Sequence, residues 1–129
     1  MFSLGGADME QGNASVLRRK QLEANEKETR VAILGTIIRD FDSMIAQIER
    51  QIAGEEDRTR IKDPCHPAYS TFAKAAAKRC QNLLNSVAHT RSMLDVAKRE
   101  LDEVAAQLLD LEPIDSNQPS LARQSVSAA

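Results

Sequence analysis

Two long stripes of apolar residues, spaced alternately by three and by four positions, place the strongest constraint on this chain. The first stripe contains Val31, Leu34, Ile38, Phe41, Ile45, Ile48 and Ile52, and its register extends backwards through Lys27, Ala24 and Lys20 to Leu17. The second contains Tyr69, Ala73, Ala76, Cys80, Leu83, Val87, Thr90, Leu94, Ala97, Leu101, Val104, Leu108 and Leu111. This spacing is the heptad repeat of a left-handed coiled coil, so the sequence predicts two long helices that pack along their stripes.

The segment IKDPCHPAYS, residues 61–70, separates the stripes and predicts a bend. It contains Asp-Pro and His-Pro, and the residue before a proline is pushed away from helical geometry. Ser70 suits the N-cap of the second helix because its hydroxyl can accept a backbone N–H of the first turn. We therefore predict an all-α fold, a long antiparallel two-helix coiled-coil hairpin, in which Ile45 lies near Cys80 and Val31 near Leu94.

The predicted hairpin covers residues 15–112. Its first helix occupies about residues 15–60, its turn about 61–69 and its second helix about 70–112. Residues 1–14 and 113–129 lack periodicity and are rich in small polar residues. We expect both to be disordered, as an N-terminal extension and a C-terminal tail.

Composition agrees with a thin helical seam and excludes several classes of function. Aromatic residues make up 3% of the 129 residues, which is too few for a thick mixed core. The formal net charge is -2, so no basic field points to nucleic acid. No apolar run approaches the roughly 18 residues of a membrane span, and the first residues do not resemble a secretory signal. With two cysteines that suit a reducing compartment, we expect a cytoplasmic protein.

Charged residues cluster on both sides of the predicted bend. Glu49, Glu55, Glu56 and Asp57 precede it, and Lys74, Lys78 and Arg79 follow it. Either the acidic residues of the first helix neutralise the basic ones, or the basic cluster is a surface for a partner. At the open end of the hairpin, the basic residues Arg18, Arg19 and Lys20 are expected to face Asp102, Glu103 and Asp110.

No pattern in the sequence indicates catalysis or metal binding. Cys80 and His89 are nine residues apart and so lie on roughly opposite faces of a helix, which does not suit a shared metal ion. Cys65 and His66 are adjacent, without a third group to orient a base. Glu55 and Glu56 are expected on a solvated face. We therefore predict a binding protein, not an enzyme, with no cofactor, metal or small-molecule substrate.

Several apolar residues fall beside the stripes, namely Ile33, Ile37, Met44, Phe72 and Leu84. Scattered apolar exposure is ordinary on protein surfaces, whereas a cluster would mark a groove for a partner helix. The sequence leaves both interpretations open.

The residues at the bend resemble a known family. The run RTRIKDPCHPAYSTFAKAAAKRCQNLLNSV is similar to the flagellar export protein FliJ family of alphaproteobacteria, which typically reads Asp-Pro-x-His-Phe-Ala-Tyr-Pro-Thr, then Ala-Lys-Ala-Ala, then Arg-Arg-Asp-Asn-Leu. The matching residues are Asp63, Pro64, His66, Ala68, Tyr69, Thr71, Ala73, Lys74, Ala75, Ala76, Arg79, Asn82 and Leu83. The upstream segment EKETRVAILGTIIRDF is similar at Glu26, Lys27, Val31, Ala32, Ile38, Asp40 and Phe41. The chain departs from the pattern at Pro67, Ser70, Cys80 and Gly35.

The resemblance implies a non-enzymatic component of the flagellar type III protein export apparatus, and hence a role in motility. Such a coiled-coil stalk binds the hexameric export ATPase and links it to the export gate and to export chaperones. It is cytoplasmic and peripheral to the inner membrane at the flagellar base, without membrane insertion.

Two sets of residues are candidates for contact with these partners. A tip set for the gate consists of Asp63, His66, Tyr69, Phe72, Lys74 and Arg79. An open-end set for the ATPase consists of Arg18, Arg19, Leu22, Leu101 and Leu108. The alternatives are a homo-oligomeric coiled-coil scaffold, in which two hairpins form a four-helix bundle, and a secretion chaperone.

Overall fold

Two α-helices account for nearly all of the described chain. The computed structural model describes the backbone of residues 2–111 and the side chains of residues 12–111. Helix α1 spans Phe2–Thr59 and helix α2 spans Thr71–Asp110, and no strand occurs within that backbone. The predicted all-α, two-helix fold is confirmed.

The helix boundaries follow the prediction closely at the bend and differ from it at the start. Helix α1 ends at Thr59 and α2 begins at Thr71, against predicted limits of about 60 and 70. However, α1 begins at Phe2, whereas the sequence predicts a disordered extension over residues 1–14. No proline precedes residue 64, so nothing removes a backbone donor from this stretch. The predicted disordered tail, 113–129, lies outside the described residues.

The chain divides into two compact units, of which one comprises Val31–Val96. In this unit α1 and α2 form a helical hairpin around a continuous apolar cluster, whose members are Ile38, Ile45, Ile48, Ala76, Cys80 and Val87, with Phe41, Ile52, Leu83 and Leu94 packed against them. All of these residues belong to the predicted stripes. The heptad pattern therefore identified the interface correctly, including Cys80 as a small buried residue.

Small residues on α2 face large ones on α1 near the bend. Ala73 is 0% exposed and Ala76 is 4% exposed, while Ile48 across the seam is 4% exposed. Small side chains of this kind allow neighbouring helix backbones to approach, and the larger isoleucines of α1 belong to the same buried cluster as Ala76. This arrangement explains how a chain with so few aromatic residues buries a core.

The polar member of the second stripe is accommodated within its own helix. Thr90 is buried, and its Oγ1 donates a hydrogen bond to the carbonyl oxygen of Ser86 at 2.8 Å. A buried hydroxyl without such a partner would be destabilising. Thr90 therefore occupies the seam without an unpaired polar atom.

The second unit contains the chain up to Arg30 and from Ala97 onward. Ala24, Ala97 and Val104 are buried here, but two lysines continue the stripe of α1. Lys27 Nζ donates to Glu100 Oε2 at 2.8 Å, and Lys20 Nζ donates to Gln107 Oε1 at 2.7 Å. From Lys20 to Lys27 the chain advances seven residues along α1, and their partners go back seven residues along α2, from Gln107 to Glu100. This opposite order establishes antiparallel pairing in this unit. Specific polar contacts here supplement a small apolar seam.

The expected pairing of charges across the bend is wrong. Among residues 12–111, no ion pair joins Glu49, Glu55, Glu56 or Asp57 to Lys74, Lys78 or Arg79. Glu55 pairs instead with Arg58, and Asp57 lies 3.7 Å from Lys62. Partners three to five residues away in sequence are already within reach, whereas a cross-helix pair requires both side chains to face the seam.

The expected pairing at the open end is also not formed. Lys20 contacts Glu23 and Gln107, and no ion pair links Arg18 or Arg19 to the acidic residues near the end of α2 within the described part of the chain. Both arginines are exposed, since their helical positions point away from the stripe.

Truncation of a seam isoleucine should reveal how much the thin core contributes. Ile48→Ala removes a side chain that is 4% exposed and should lower the free energy of unfolding by about 2 to 5 kcal/mol. The matched control is Ile33→Ala on the same helix, which is 54% exposed and should change it by no more than about 0.5 kcal/mol. Urea denaturation followed by circular dichroism measures both; equal losses would contradict the described seam.

Candidate partner-binding elbow

The bend, residues 60–70, is built from two linked turns, and we call it the elbow. In the first turn, Asp63 Oδ1 accepts the backbone N–H of Cys65 at 2.9 Å, and the Asp63 carbonyl accepts that of His66 at 3.0 Å. Pro64 occupies the second position, where its fixed φ suits a turn. The side chain and main chain of Asp63 together fix this turn.

His66 repeats the same arrangement in the second turn. Its Nδ1 accepts the backbone N–H of Ala68 at 2.9 Å, and its carbonyl accepts that of Tyr69 at 3.0 Å, with Pro67 in the second position. Because Nδ1 is an acceptor, it carries no proton in this arrangement. DPCHPAY is therefore a tandem of two turns that share His66, and its prolines and polar side chains have a structural role.

The elbow leaves α1 through a residue with left-handed backbone geometry. Arg60 has φ of 61°, a region that glycine occupies most readily and that costs other residues roughly 1 to 2 kcal/mol. Thr59 Oγ1 donates to the carbonyl oxygen of Glu55 at 3.0 Å, which satisfies one of the free acceptors at the helix end. Residue type alone does not indicate this conformation, because arginine is not typical at an αL position.

Two glutamates near the end of α1 accept hydrogen bonds from the last residues of the elbow. Tyr69 Oη donates to Glu56 Oε2 at 2.8 Å, and Ser70 Oγ donates to Glu55 Oε1 at 2.9 Å. Arg58 also donates to Glu55, through Nη2 at 2.6 Å. The expectation that Glu55 and Glu56 lie on a solvated face is wrong: both are half-buried, since the returning chain covers them.

These contacts shift the pKa of three groups. The hydrogen bonds from Arg58 and, to a smaller extent, Ser70 lower the pKa of Glu55 below its usual value. The same carboxylate raises the pKa of Arg58. The hydrogen bond to Glu56 raises the pKa of Tyr69, because the donated proton is harder to remove. These contacts therefore favour the ionised form of Glu55 and the neutral form of Tyr69.

Ser70 also caps α2, as predicted. Its Oγ accepts the backbone N–H of Ala73 at 3.2 Å, and its carbonyl accepts that of Lys74 at 3.1 Å. Since the same hydroxyl donates to Glu55, one side chain joins the end of α1 to the start of α2.

The six tip residues do not form a single surface. Asp63 and His66 are exposed, but they use side-chain acceptors within the loop, and Tyr69 is 8% exposed within the seam. Phe72, Lys74 and Arg79 are exposed on α2. Phe72 and Arg79 are seven residues apart and share a face, whereas Lys74 is about 200° around the helix from Phe72. Of the six residues, Phe72 and Arg79 therefore share one exposed face of α2.

The open-end residues also separate. Arg18, Arg19 and Leu22 are exposed, whereas Leu101 and Leu108 are half-buried members of the stripe on α2. Arg19 borders a shallow groove of about 290 Å³, whose other lining residues are Val16, Lys20 and Glu23. The two leucines belong to the packing of this unit and are not available as a free surface.

The described side chains show few features of a chemical site. No group of three or more histidine, cysteine or acidic side chains within residues 12–111 is placed to hold a metal ion. Cys65 is exposed and Cys80 is buried, both as free thiols. In the described part of the chain, neither helix contains a stretch long and apolar enough to cross a bilayer.

Comparison with known proteins found no matching family model, no matching curated protein and no matching solved structure. The geometry of the elbow and of the helix faces therefore provides the basis for a functional proposal, together with the resemblance at the bend.

Removal of the shared hydroxyl at Ser70 should destabilise the hairpin. Ser70→Ala takes away the cap of α2 and the tie to Glu55, and a lost cap costs about 0.5 to 2 kcal/mol. Ser92→Ala is the control, because that exposed hydroxyl bonds only to the carbonyl of Ala88 in its own helix. Thermal and urea denaturation compare the two. A Ser70 variant as stable as the control would show that the cap does not hold the elbow.

The Lys27–Glu100 pair should make stability depend on acidity. The hydrogen bond from Lys27 lowers the pKa of Glu100 below 4.5, and the same bond raises that of Lys27 above 10.5. The contribution of Glu100 is thus complete well above pH 4.5 and is lost as the pH falls through its folded pKa. The contribution of Lys27 is complete below pH 10.5 and is lost above it.

Glu100→Gln should therefore lose less stability than the parent when the pH falls from neutral to below 4.5. Glu103→Gln, which changes an exposed carboxyl on the same helix, is the control and should follow the parent. Urea midpoints at both pH values measure the difference. Parallel acid curves for the parent and Glu100→Gln would contradict the role of the pair.

Proposed function

We propose that this protein is a non-enzymatic component of the flagellar type III protein export apparatus, a helical hairpin that binds the export ATPase ring and links it to the export gate and its chaperones. Its work is mechanical and conformational: it holds partners and transmits their movements, without chemistry of its own. Its place is the cytoplasmic side of the membrane at the flagellar base.

The observation that carries the proposal is the coincidence between the resemblance and the construction of the elbow. The positions that match the FliJ pattern at the bend include Asp63, Pro64, His66 and Tyr69. These residues form the tandem turns and close the seam. A simple helix reversal needs only a few polar residues. A longer loop with fixed geometry presents a defined end, which favours an adaptor that partners recognise.

The faces of α2 beyond the elbow support a binding role. Phe72 is 55% exposed at the start of the helix, and Arg79 lies exposed two turns later on the same face. An exposed aromatic side chain close to an arginine combines the residue types that dominate protein interfaces. We expect Phe72 to contact the gate or a chaperone directly, and Asp63 and His66 to position the elbow.

The proposal is tested by gene deletion in the native host, with complementation. Cells without the gene should lose swimming and secrete little hook and filament protein, and the full-length gene should restore both. Phe72→Ala should restore them poorly. Leu84→Ala, at an exposed leucine on the opposite flank of α2, should restore them fully and serves as the control.

Binding to the purified export ATPase and to the cytoplasmic part of the gate provides the second measurement. A chain that binds neither protein, or a deletion strain that swims normally, would show that the proposal is wrong. Sedimentation would distinguish the scaffold alternative, in which the chain forms an obligate dimer and ignores the ATPase. Tyr69→Ala is unsuitable for this purpose, because Tyr69 is buried and its loss would disturb the elbow itself.

A further inference from the structure

Two grooves border the seam in the unit formed by Val31–Val96. We call one the Met44 groove; it measures about 220 Å³ and is lined by Met44, Arg79, Asn82, Leu83 and Ser86. We call the other the Arg39 groove; it measures about 380 Å³ and is lined by Gly35, Ile38, Arg39, Arg91, Leu94 and Asp95. Met44 is five residues after Arg39, or about 140° around α1, so the grooves lie on opposite flanks.

The Arg39 groove carries charges of both signs. Arg91 Nη2 lies 3.9 Å from Asp42, Arg39 Nη2 donates to Thr36 at 3.1 Å, and Asp95 adds a negative charge to the lining. Charges of both signs within reach of one another leave little net field for a partner. This groove therefore serves as an internal comparison.

The Met44 groove carries an uncompensated positive charge. No acidic residue lines it, and Arg79 has no ion pair within 4.0 Å among residues 12–111. An arginine with a free guanidinium favours a carboxylate, which it can bind through two parallel hydrogen bonds.

Apolar side chains continue the groove along both helices. Met44 is 42% exposed, and Ile37, seven residues earlier on α1, is 36% exposed. On α2, Phe72 is seven residues before Arg79 and is 55% exposed. Residues seven apart share a helix face, so these side chains form a second stripe beside the seam. Of the apolar residues that the sequence left open, Ile37, Met44 and Phe72 therefore lie on the flank of the seam that carries this groove.

We propose that the Met44 groove is the docking site for an acidic amphipathic α-helix of a partner protein. The seven-residue spacing on both walls matches the heptad repeat of a third helix laid along the first two. Ser86 and Asn82 are short and let its backbone approach, and the flexible Met44 adapts to its apolar residues. The acidic residues of the partner then face Arg79, which lines the groove.

Charge decides between this occupant and a second copy of the chain. A two-fold dimer through the groove would bring together two copies of the same positively charged surface, which repel each other. An acidic helix meets it with the opposite charge. The inference rests on the groove alone and does not depend on the flagellar role.

The test uses the full-length chain and two synthetic peptides of about three heptads, each with leucine at the heptad positions and locked as a helix by a side-chain staple. One peptide carries glutamate beside the leucines and the other carries lysine. Fluorescence anisotropy should show the glutamate peptide binding at least about tenfold more tightly, with the difference shrinking at high salt.

Variants locate the site. Arg79→Glu should reverse the preference between the peptides, and Met44→Ser should weaken binding of the glutamate peptide about tenfold, a loss of about 1.4 kcal/mol. Arg79→Lys keeps the charge and should keep the preference. The matched controls lie on the other flank: Arg39→Glu for charge, and Leu84→Ser, which is 44% exposed against 42% for Met44. Both should bind as the parent does.

Three outcomes overturn the inference. The first is that the two peptides bind equally tightly, or that neither peptide binds. The second is the same loss in the controls as in the groove variants, with helicity by circular dichroism unchanged. The third is a stable dimer in sedimentation that Met44→Ser abolishes, which would make a second copy the occupant.

Discussion

The mutual burial of two heptad stripes is the interaction on which this protein depends. An isolated helix is marginal in water, because its backbone hydrogen bonds offset little more than the entropy lost on ordering. Each helix here gains its stability from the face that the other covers. Ala76 belongs to the same buried cluster as Ile45 and Ile48, and Ala73 beside it is fully buried. A thin seam of this kind needs few aromatic residues, which is why the unusual composition is consistent with a stable fold.

The elbow determines the register in which the two stripes pair. The two prolines and the side-chain acceptors of Asp63 and His66 fix the path of the loop. Tyr69 and Ser70 then tie its end to Glu56 and Glu55 on α1. The loop therefore sets where α2 begins, and hence which residues of the two stripes lie opposite each other. The structural use of Asp63, His66 and Tyr69 also leaves exposed residues of α2, chiefly Phe72 and Arg79, as the surface for partners.

The two units use different chemistry for the same antiparallel pairing. Within Val31–Val96 the seam is almost entirely apolar. In the other unit, Lys20 and Lys27 occupy stripe positions and reach Gln107 and Glu100. Directional polar contacts of this type select a register more than they add stability, because the charges remain partly solvated. The two grooves beside the seam also differ in charge. Asp95 lines the Arg39 groove, whereas no acidic residue among residues 12–111 lines the Met44 groove.

The sequence by itself determined the two helices on either side of the bend, the seam and the N-cap of α2. Every stripe residue from Leu17 to Ile52 and from Tyr69 to Leu111 is buried or half-buried, and Ser70 caps α2. These features follow from helix periodicity and from local hydrogen bonding, which depend on residues close in the chain. Only the tertiary structure decided that Glu55 and Glu56 accept hydrogen bonds from the elbow. It also decided that Arg79 has no ion pair among residues 12–111 and that Met44 lines the same groove as Arg79. Those contacts join residues 13 or more positions apart, and they depend on the path of the loop, which residue spacing alone does not encode.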